Sequence, residues 1–211
     1  MDHRPPNPLV LAVAHAKGGV GKTTTALIIA KYLARRHRVA LLDYDEGAHL
    51  TDLVHDLASD GKTITRRLWL RNGRPDAAEI VVIDSAPARG PETRRALLEA
   101  DYVLIPAPPE RMAVRAMQQM LDTVEEVRAA RVGGNPFLAV LGVVPTMYDL
   151  SWPEHRAYLT QMAEECDRRG VRLFPPVHRR QSYLYLSVAG QDYRPIAEAV
   201  EALLQREPAR A

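Results

Sequence analysis

A chain of 211 residues with 46% hydrophobic content suits one compact α/β domain with a sizeable core. Its formal charge of +2 is too small to argue nucleic-acid binding by itself, and the lone cysteine, Cys166, excludes an internal disulfide or a cluster site built from several cysteines of this chain. No apolar run approaches the roughly 18–20 residues that span a bilayer, and MDHRPPNP has no apolar signal core, so a cytoplasmic protein is expected.

Residues 1–8 read as a flexible lead-in, and residues 9–207 read as a single domain. PLVLAVAHA (8–16) is a short apolar run that enters a glycine-rich turn. Lys22 to Arg35 then has helical apolar spacing at Ala26, Ile29, Ala30 and Leu33. RVALLDYD (38–45) reads as a second buried strand with acids at its C-terminal end, and EIVVIDSAP (79–87) repeats that pattern until Pro87 stops it. The stretch between them, 52–78, is expected to hold one or two short helices and a loop. DYVLIPAPP (101–109) reads as a strand followed by a long helix near 110–131. PFLAVLGVVPT (136–146) is a further strand, followed by a helix near 153–169, a short strand VRLF (171–174) and a last helix near 193–206.

Near-continuous Val/Ile/Leu strands alternating with helices indicate a mostly parallel, twisted sheet with helices on both faces. Ligands in such sheets bind beyond the carboxyl ends of the strands. The chemistry-bearing residues of this sequence gather at those ends.

The stretch AHAKGGVGKTTT (14–25) carries the strongest signal. Gly18, Gly19 and Gly21, with Val20 between them, let the backbone wrap closely around phosphates and present N–H groups at a helix N-terminus. Lys22 is placed to reach the β- and γ-phosphates of a nucleotide, and the Thr23 hydroxyl to coordinate Mg²⁺. The pattern GxxxxGK[ST] is not strictly met, because its first glycine falls on Ala16. Lys17 instead adds a second cation to the loop, which costs free energy unless an anion sits between the two. Lysine occurs only at positions 17, 22, 31 and 62, and arginine supplies the rest of the 28 basic residues. The loop therefore holds half of the lysines, where a compact ammonium differs from a planar guanidinium.

KGGVGKTT resembles the deviant Walker A motif of the ParA/MinD family of P-loop ATPases, whose signature residue is the first lysine. VALLDYDEGAHLT (39–51) resembles the family's switch I segment, EIVVIDSAP its Walker B strand, and ADYVLIPAPPERMAVRAMQQMLDTV (100–124) the strand and helix that follow in ParA proteins. LGVVPTMYD (141–149) and, more loosely, 176–190 also align. The resemblance implies a P-loop NTPase fold and ATP with Mg²⁺ as cofactors. It implies that Lys22, the loop amides and Thr24 bind phosphates, and that Thr23, Asp43 and Asp84 serve the metal, Asp84 through water. Asp45 is the residue expected to orient the attacking water. Lys17 is expected to reach across a two-fold interface to the nucleotide of a second copy, making dimerisation depend on ATP. Asp43 has a plainer reading as a strand-end cap. Thr146, Met147 and Tyr148 lie where adenine contact and core packing are both open.

Two departures stand out: Glu46 and Gly47 replace the family's usual Pro-Gln, and no DNA-reading domain is expected before the loop. The size resembles small, plasmid-type ParA proteins. For these the family implies a cytoplasmic, nucleoid-associated ATPase that partitions DNA or positions cargo. Its dimer binds double-stranded DNA without sequence preference, and a ParB-like adaptor stimulates hydrolysis. Candidate DNA contacts are Arg168, Arg169, Arg172, Arg179 and Arg180, with Arg66, Arg67 and Arg71 as weaker ones. A MinD-like membrane role would need a basic amphipathic C-terminal helix, and AVEALLQREPARA is short, mixed in charge and interrupted by Pro208. A metabolic P-loop ligase is the remaining alternative; a nitrogenase-type reductase is excluded, since it needs two cluster cysteines per chain.

Overall fold

The structure, a computed structural model, describes residues 8–45, 50, 68–70, 78–86, 90–180 and 191–206. Most of the expected lead-in, residues 1–7, lies outside them. Six strands form one sheet in the order β3-β2-β4-β1-β5-β6, and every pairing is parallel. They are β1 (Leu9–Val13), β2 (Val39–Tyr44), β3 (Leu68–Leu70), β4 (Ile80–Ser85), β5 (Tyr102–Ala107) and β6 (Ala139–Pro145). The helices are α1 (Lys22–Leu33), α2 (Pro91–Glu99), α3 (Arg111–Ala129), α4 (Pro153–Arg168) and α5 (Arg194–Arg206).

The strands read as unbroken apolar runs because both faces of the sheet are covered. Along β1, Leu9, Leu11 and Val13 face a layer built from α1, α5 and the side chains of Phe174 and Val177. Val10 and Ala12 face the opposite layer, where α2, α3 and α4 contribute Leu97, Met117, Met120 and Met162. β1 therefore runs through the middle of the core, and the turn at its C-terminal end is held from both sides. Cys166 lies in the second layer, fully buried, where desolvation pushes its thiol up to about 11 and leaves it unreactive.

Two expectations change. VRLF does not form a strand: Leu173 makes a single parallel bridge to Val143, with Val143 N–H donating to Arg172 O and Phe174 N–H to Val143 O, both at 2.8 Å. Pro175 and Pro176 follow at once and offer no N–H with which to extend the pairing. Within segment 52–78, expected to hold one or two short helices and a loop, Leu68–Leu70 form β3, a parallel edge strand paired to β2; residues 52–67 and 71–77 lie outside the described residues. No element was expected at α2, which opens on Gly90-Pro91-Glu92 with proline in its first turn and an acid against the helix dipole. That signature is present in the sequence and marks a helix start.

Candidate nucleotide and metal site

The loop between β1 and α1 needs glycine for conformational reasons. Gly19 and Gly21 have φ of 73° and 88°, in the left-handed region that residues with a Cβ rarely adopt. At Gly21 a Cβ would meet only Met147 and Thr146 at ordinary contact distance, so backbone conformation, not space, requires the glycine. Gly21 is also the N-cap of α1 and supplies no capping side chain. The N–H groups of the first turn, from Lys22 to Thr24, thus have no intrahelical acceptor and are available to an anion.

The crown of the loop is tied down on its inner side. Val20 is buried in the core, and its carbonyl accepts a 2.8 Å hydrogen bond from the Thr146 hydroxyl at the end of β6. Thr146 is itself buried, so of its two open readings the structural one describes its hydroxyl. Met147 takes a left-handed φ of 54° and is 37% exposed, while Tyr148 is buried between His155 and His178. On the opposite side of the loop, Tyr193 pairs its hydroxyl with that of Thr25 in the first turn of α1, at 3.3 Å.

Lys22 and Asp84 form the buried electrostatic centre. Lys22 is 6% exposed and its amine lies 3.5 Å from the Lys17 carbonyl. Desolvation lowers its pKa, opposed by the negative charges of Asp84 and Asp45. Asp84 is 1% exposed, and neither carboxylate oxygen has a hydrogen-bond partner. Burial pushes its carboxyl up to about 7; the nearby Thr23 hydroxyl and Lys22 pull it down without completing a bond, while Asp43 and Asp45 push it further up. Asp43 is the register partner of Asp84 on β2, and its Oδ1 accepts the Asp45 N–H at 3.0 Å. Asp43 thus does cap its strand end, and in doing so it sets the backbone of Asp45.

Buried oxygens left without partners call for an ion or ordered water. Two neighbouring carboxylates and the Thr23 hydroxyl supply the hard oxygen donors that Mg²⁺ takes. Among the described residues no group of three or more His, Cys, Asp or Glu could hold a metal. Mg²⁺ is commonly held by one or two carboxylates together with waters and substrate phosphates. Glu46 and Gly47 lie outside the described residues.

Lys17 is placed differently from Lys22. Its side chain is 41% exposed, and its amine lies 3.7 Å from Glu110, the N-cap of α3. Its backbone N–H donates to Nδ1 of His15 at 3.0 Å. His15 is fully buried and places Nε2 3.2 Å from the Ala113 carbonyl on α3. In the sequence His15 is marked only as one polar residue at the end of an otherwise apolar run.

The candidate DNA-contacting arginines separate by environment. Arg169 departs from the expectation of a surface contact. All three of its guanidinium nitrogens donate to carboxylates: Nε to Glu165, Nη1 to Glu125 at 3.2 Å and Nη2 to Asp122 at 2.7 Å. Its side chain is only 15% exposed, and these bonds fasten α4 to α3. Arg168 also pairs with Glu165, at 2.6 Å, but stays exposed. Arg172 lies over the Phe174 ring, 4.3 Å from its centre. Arg179 and Arg180 are exposed at the end of the segment that follows the Val143 bridge, and Arg180 reaches Asp192 at 3.3 Å. Arg66, Arg67 and Arg71 lie outside the described residues, as do 181–190 of the loosely aligned stretch.

The family model described as the CobQ/CobB/MinD/ParA nucleotide binding domain matches residues 11–190, which include the loop, both aspartate strands and β6. The chain belongs to this family. The family's description is that of a nucleotide binding domain, and the matched residues include the β1–α1 turn. Among curated relatives, the chromosome-partitioning ATPase Soj of Thermus thermophilus is 34% identical over 177 residues, covering 66% of this chain and 69% of Soj. The maintenance of carboxysome distribution protein A of Halothiobacillus neapolitanus is 33% identical over 194 residues, covering 85% and 84%. Among solved structures, cobyrinic acid a,c-diamide synthase of Mycobacterium smegmatis with ADP and magnesium matches at a TM-score of 0.73 and 27% identity, over 96% of this chain and 97% of that one. The ATP complex of a single-residue variant of Cyanothece McdA matches at 0.73 and 19% identity over 95% and 96%, a likeness of fold.

Proposed function

We propose that this chain is a ParA-type ATPase whose ATP-bound dimer binds DNA without sequence preference and partitions DNA or positions cargo. The observation that carries this reading is the division of labour between its two loop lysines. Lys22 is buried beside Asp84, whereas the Lys17 amine stands at the surface against Glu110. An exposed cation beside a phosphate loop serves a nucleotide best from across an interface, where it meets the phosphates of a second copy. Phosphoryl transfer gains chiefly from positioning and from cations set against developing charge, so a cation supplied in trans links ATP occupancy to dimerisation.

In this mechanism the first-turn amides and Lys22 hold the phosphates. Thr23, Asp43 and Asp84 hold Mg²⁺, which when bound neutralises charge on the β- and γ-phosphates. Asp45, its backbone fixed by Asp43, orients the attacking water, with the partner's Lys17 completing the site. Arg172, Arg179 and Arg180 are the arginines best placed for phosphate contact, with Arg168 at the exposed end of α4, and a ParB-like adaptor stimulates hydrolysis. The relatives named for chromosome partitioning and carboxysome distribution support a positioning role, and no described helix is long and apolar enough to cross a membrane.

A second reading is favoured by one observation: the cobyrinic acid a,c-diamide synthase covers the chain as fully as the positioning proteins do. A ligase of that kind would bind Mg–ATP without needing DNA. Titrating DNA with ADP, ATP or a slowly hydrolysed analogue, beside a liposome control, separates the readings. DNA binding with ATP alone is the expected result. Liposome binding would support a MinD-like protein, and binding to neither surface would favour the ligase.

A further inference from the structure

We infer that His15 is a positioning residue: by bridging the Lys17 backbone to α3, it fixes the point from which the Lys17 side chain reaches outward. The inference rests on the proposed trans role of Lys17 and adds the residue that aims it. His15 is fully buried, and both ring nitrogens are engaged, with Nδ1 accepting from Lys17 N–H at 3.0 Å and Nε2 lying 3.2 Å from Ala113 O. Only one tautomer satisfies both contacts, with the proton on Nε2 donated to the carbonyl. A doubly protonated ring would lose the Nδ1 acceptor and set a third positive charge beside Lys17 and Lys22, and burial opposes that charge as well.

The bridge joins parts of the chain 98 residues apart, and α3 is held in the second core layer by Val114, Met117, Met120 and Leu121. The Lys17 main chain is therefore referenced to a packed helix. Its side chain is held much more loosely. The Lys17–Glu110 pair is 3.7 Å long with both partners near half exposed, and surface pairs of this kind contribute little. The result is a fixed base carrying a loosely held arm. An arm of that kind can leave Glu110 for a phosphate without the loop rearranging.

A plainer role would be space filling in the core, and two near-isosteric amides separate the two roles. Asparagine sets its Oδ1 close to the place of Nδ1, restoring an acceptor for Lys17 N–H. Glutamine reaches toward the place of Nε2, restoring a donor to Ala113 while leaving Lys17 without its acceptor. The experiment measures dimer formation of full-length wild type, His15→Asn, His15→Gln, His15→Leu and Lys17→Ala by sedimentation with Mg²⁺ and a slowly hydrolysed ATP analogue, with thermal melting alongside. His15→Asn keeps the Lys17 acceptor and gives up the Ala113 end of the bridge, so positioning predicts dimerisation about threefold weaker than wild type. His15→Gln and His15→Leu should weaken dimerisation about tenfold, the loss of roughly one hydrogen bond's net worth, even where they melt as wild type does. Should Gln and Leu dimerise as well as Asn, or should dimerisation follow melting temperature across the series, His15 is only filling space. Should Lys17→Ala itself dimerise like wild type, the trans role falls and this inference with it; should Lys17→Ala fail while all His15 variants dimerise alike, this inference alone falls.

Discussion

Asp43 and Asp84 are register partners on the adjacent parallel strands β2 and β4, each one residue from its strand's C-terminal end. Register partners on parallel strands point to the same face, so two carboxylates share one site beside Thr23 and Lys22. Burial is the main reason the Asp84 carboxyl is raised; Asp43 and Asp45 add to it, and Thr23 and Lys22 oppose it. The arrangement is costly for the empty protein and suited to a divalent cation.

That cost predicts a pH dependence. The Asp84 carboxyl rises from an ordinary 3.8 to about 7 on folding, so within that window the folded chain keeps a proton that the unfolded chain has lost. Stability from this group is full below the lower value and is lost as pH rises through about 7. Asp84→Asn should therefore stabilise the metal-free protein above about pH 7, by a few kcal/mol at most at about 1.4 kcal/mol per pKa unit, while losing Mg²⁺-dependent nucleotide binding. In wild type that binding should strengthen as pH rises to about 7 and then level off. Melting curves at about pH 5 and about pH 8, for both proteins, check the sign; a variant whose offset from wild type is the same at both pH values would show that Asp84 is not the titrating group.

Thr146→Val keeps the shape of the side chain and removes the hydroxyl that holds the Val20 carbonyl. The buried carbonyl is then left without that donor, at an expected cost of about 1–3 kcal/mol. Nucleotide affinity should fall several-fold because the loop loses its anchor. Thr146→Ser should retain both properties. Chemical denaturation and nucleotide titration of the two variants provide the comparison.

Asp45→Ala should bind Mg–ATP and still dimerise, yet hydrolyse ATP on the order of 100-fold more slowly, the usual scale for losing a positioned base. The variant should accumulate as an ATP-bound dimer on DNA. Phosphate release measured with saturating DNA tests this, and wild-type turnover would move the water-orienting role to another residue.

The arginines predict a contrast. Replacing Arg179 and Arg180 with alanine should weaken binding to unrelated DNA sequences alike and reduce the salt slope by roughly 1 per lost phosphate contact. Arg169→Ala should instead lower stability by roughly 1.5–3 kcal/mol, since its charged hydrogen bonds join α4 to α3. Its effect on the salt slope should be small. Salt titrations and denaturation curves on the same variants would expose any reversal of this order.

The elements that were legible in the sequence are those set by local chemistry. β1, β2, β4, β5 and β6 are apolar runs ended by acids, proline or glycine, and the phosphate loop is one contiguous motif. The rest depends on partners distant in sequence. Thr146 meets Val20 across 126 residues, His15 meets Ala113 across 98, and Arg169 finds Asp122 and Glu125 across 47 and 44. An arginine's residue type does not say whether it faces a phosphate or a carboxylate. VRLF has strand composition, but its two following prolines limit it to one bridge, and β3 is too short for its pattern to stand out from the polar stretch around it.

In the proposed mechanism Lys17 acts on the nucleotide of a second copy. This role is tested most directly by sedimentation of wild type and Lys17→Ala in Mg–ADP and in Mg²⁺ with a slowly hydrolysed ATP analogue. A dimer is expected only for wild type with the analogue, while Lys17→Ala still binds the nucleotide as a monomer. A Lys17→Ala protein that dimerises on the analogue as wild type does would contradict this role.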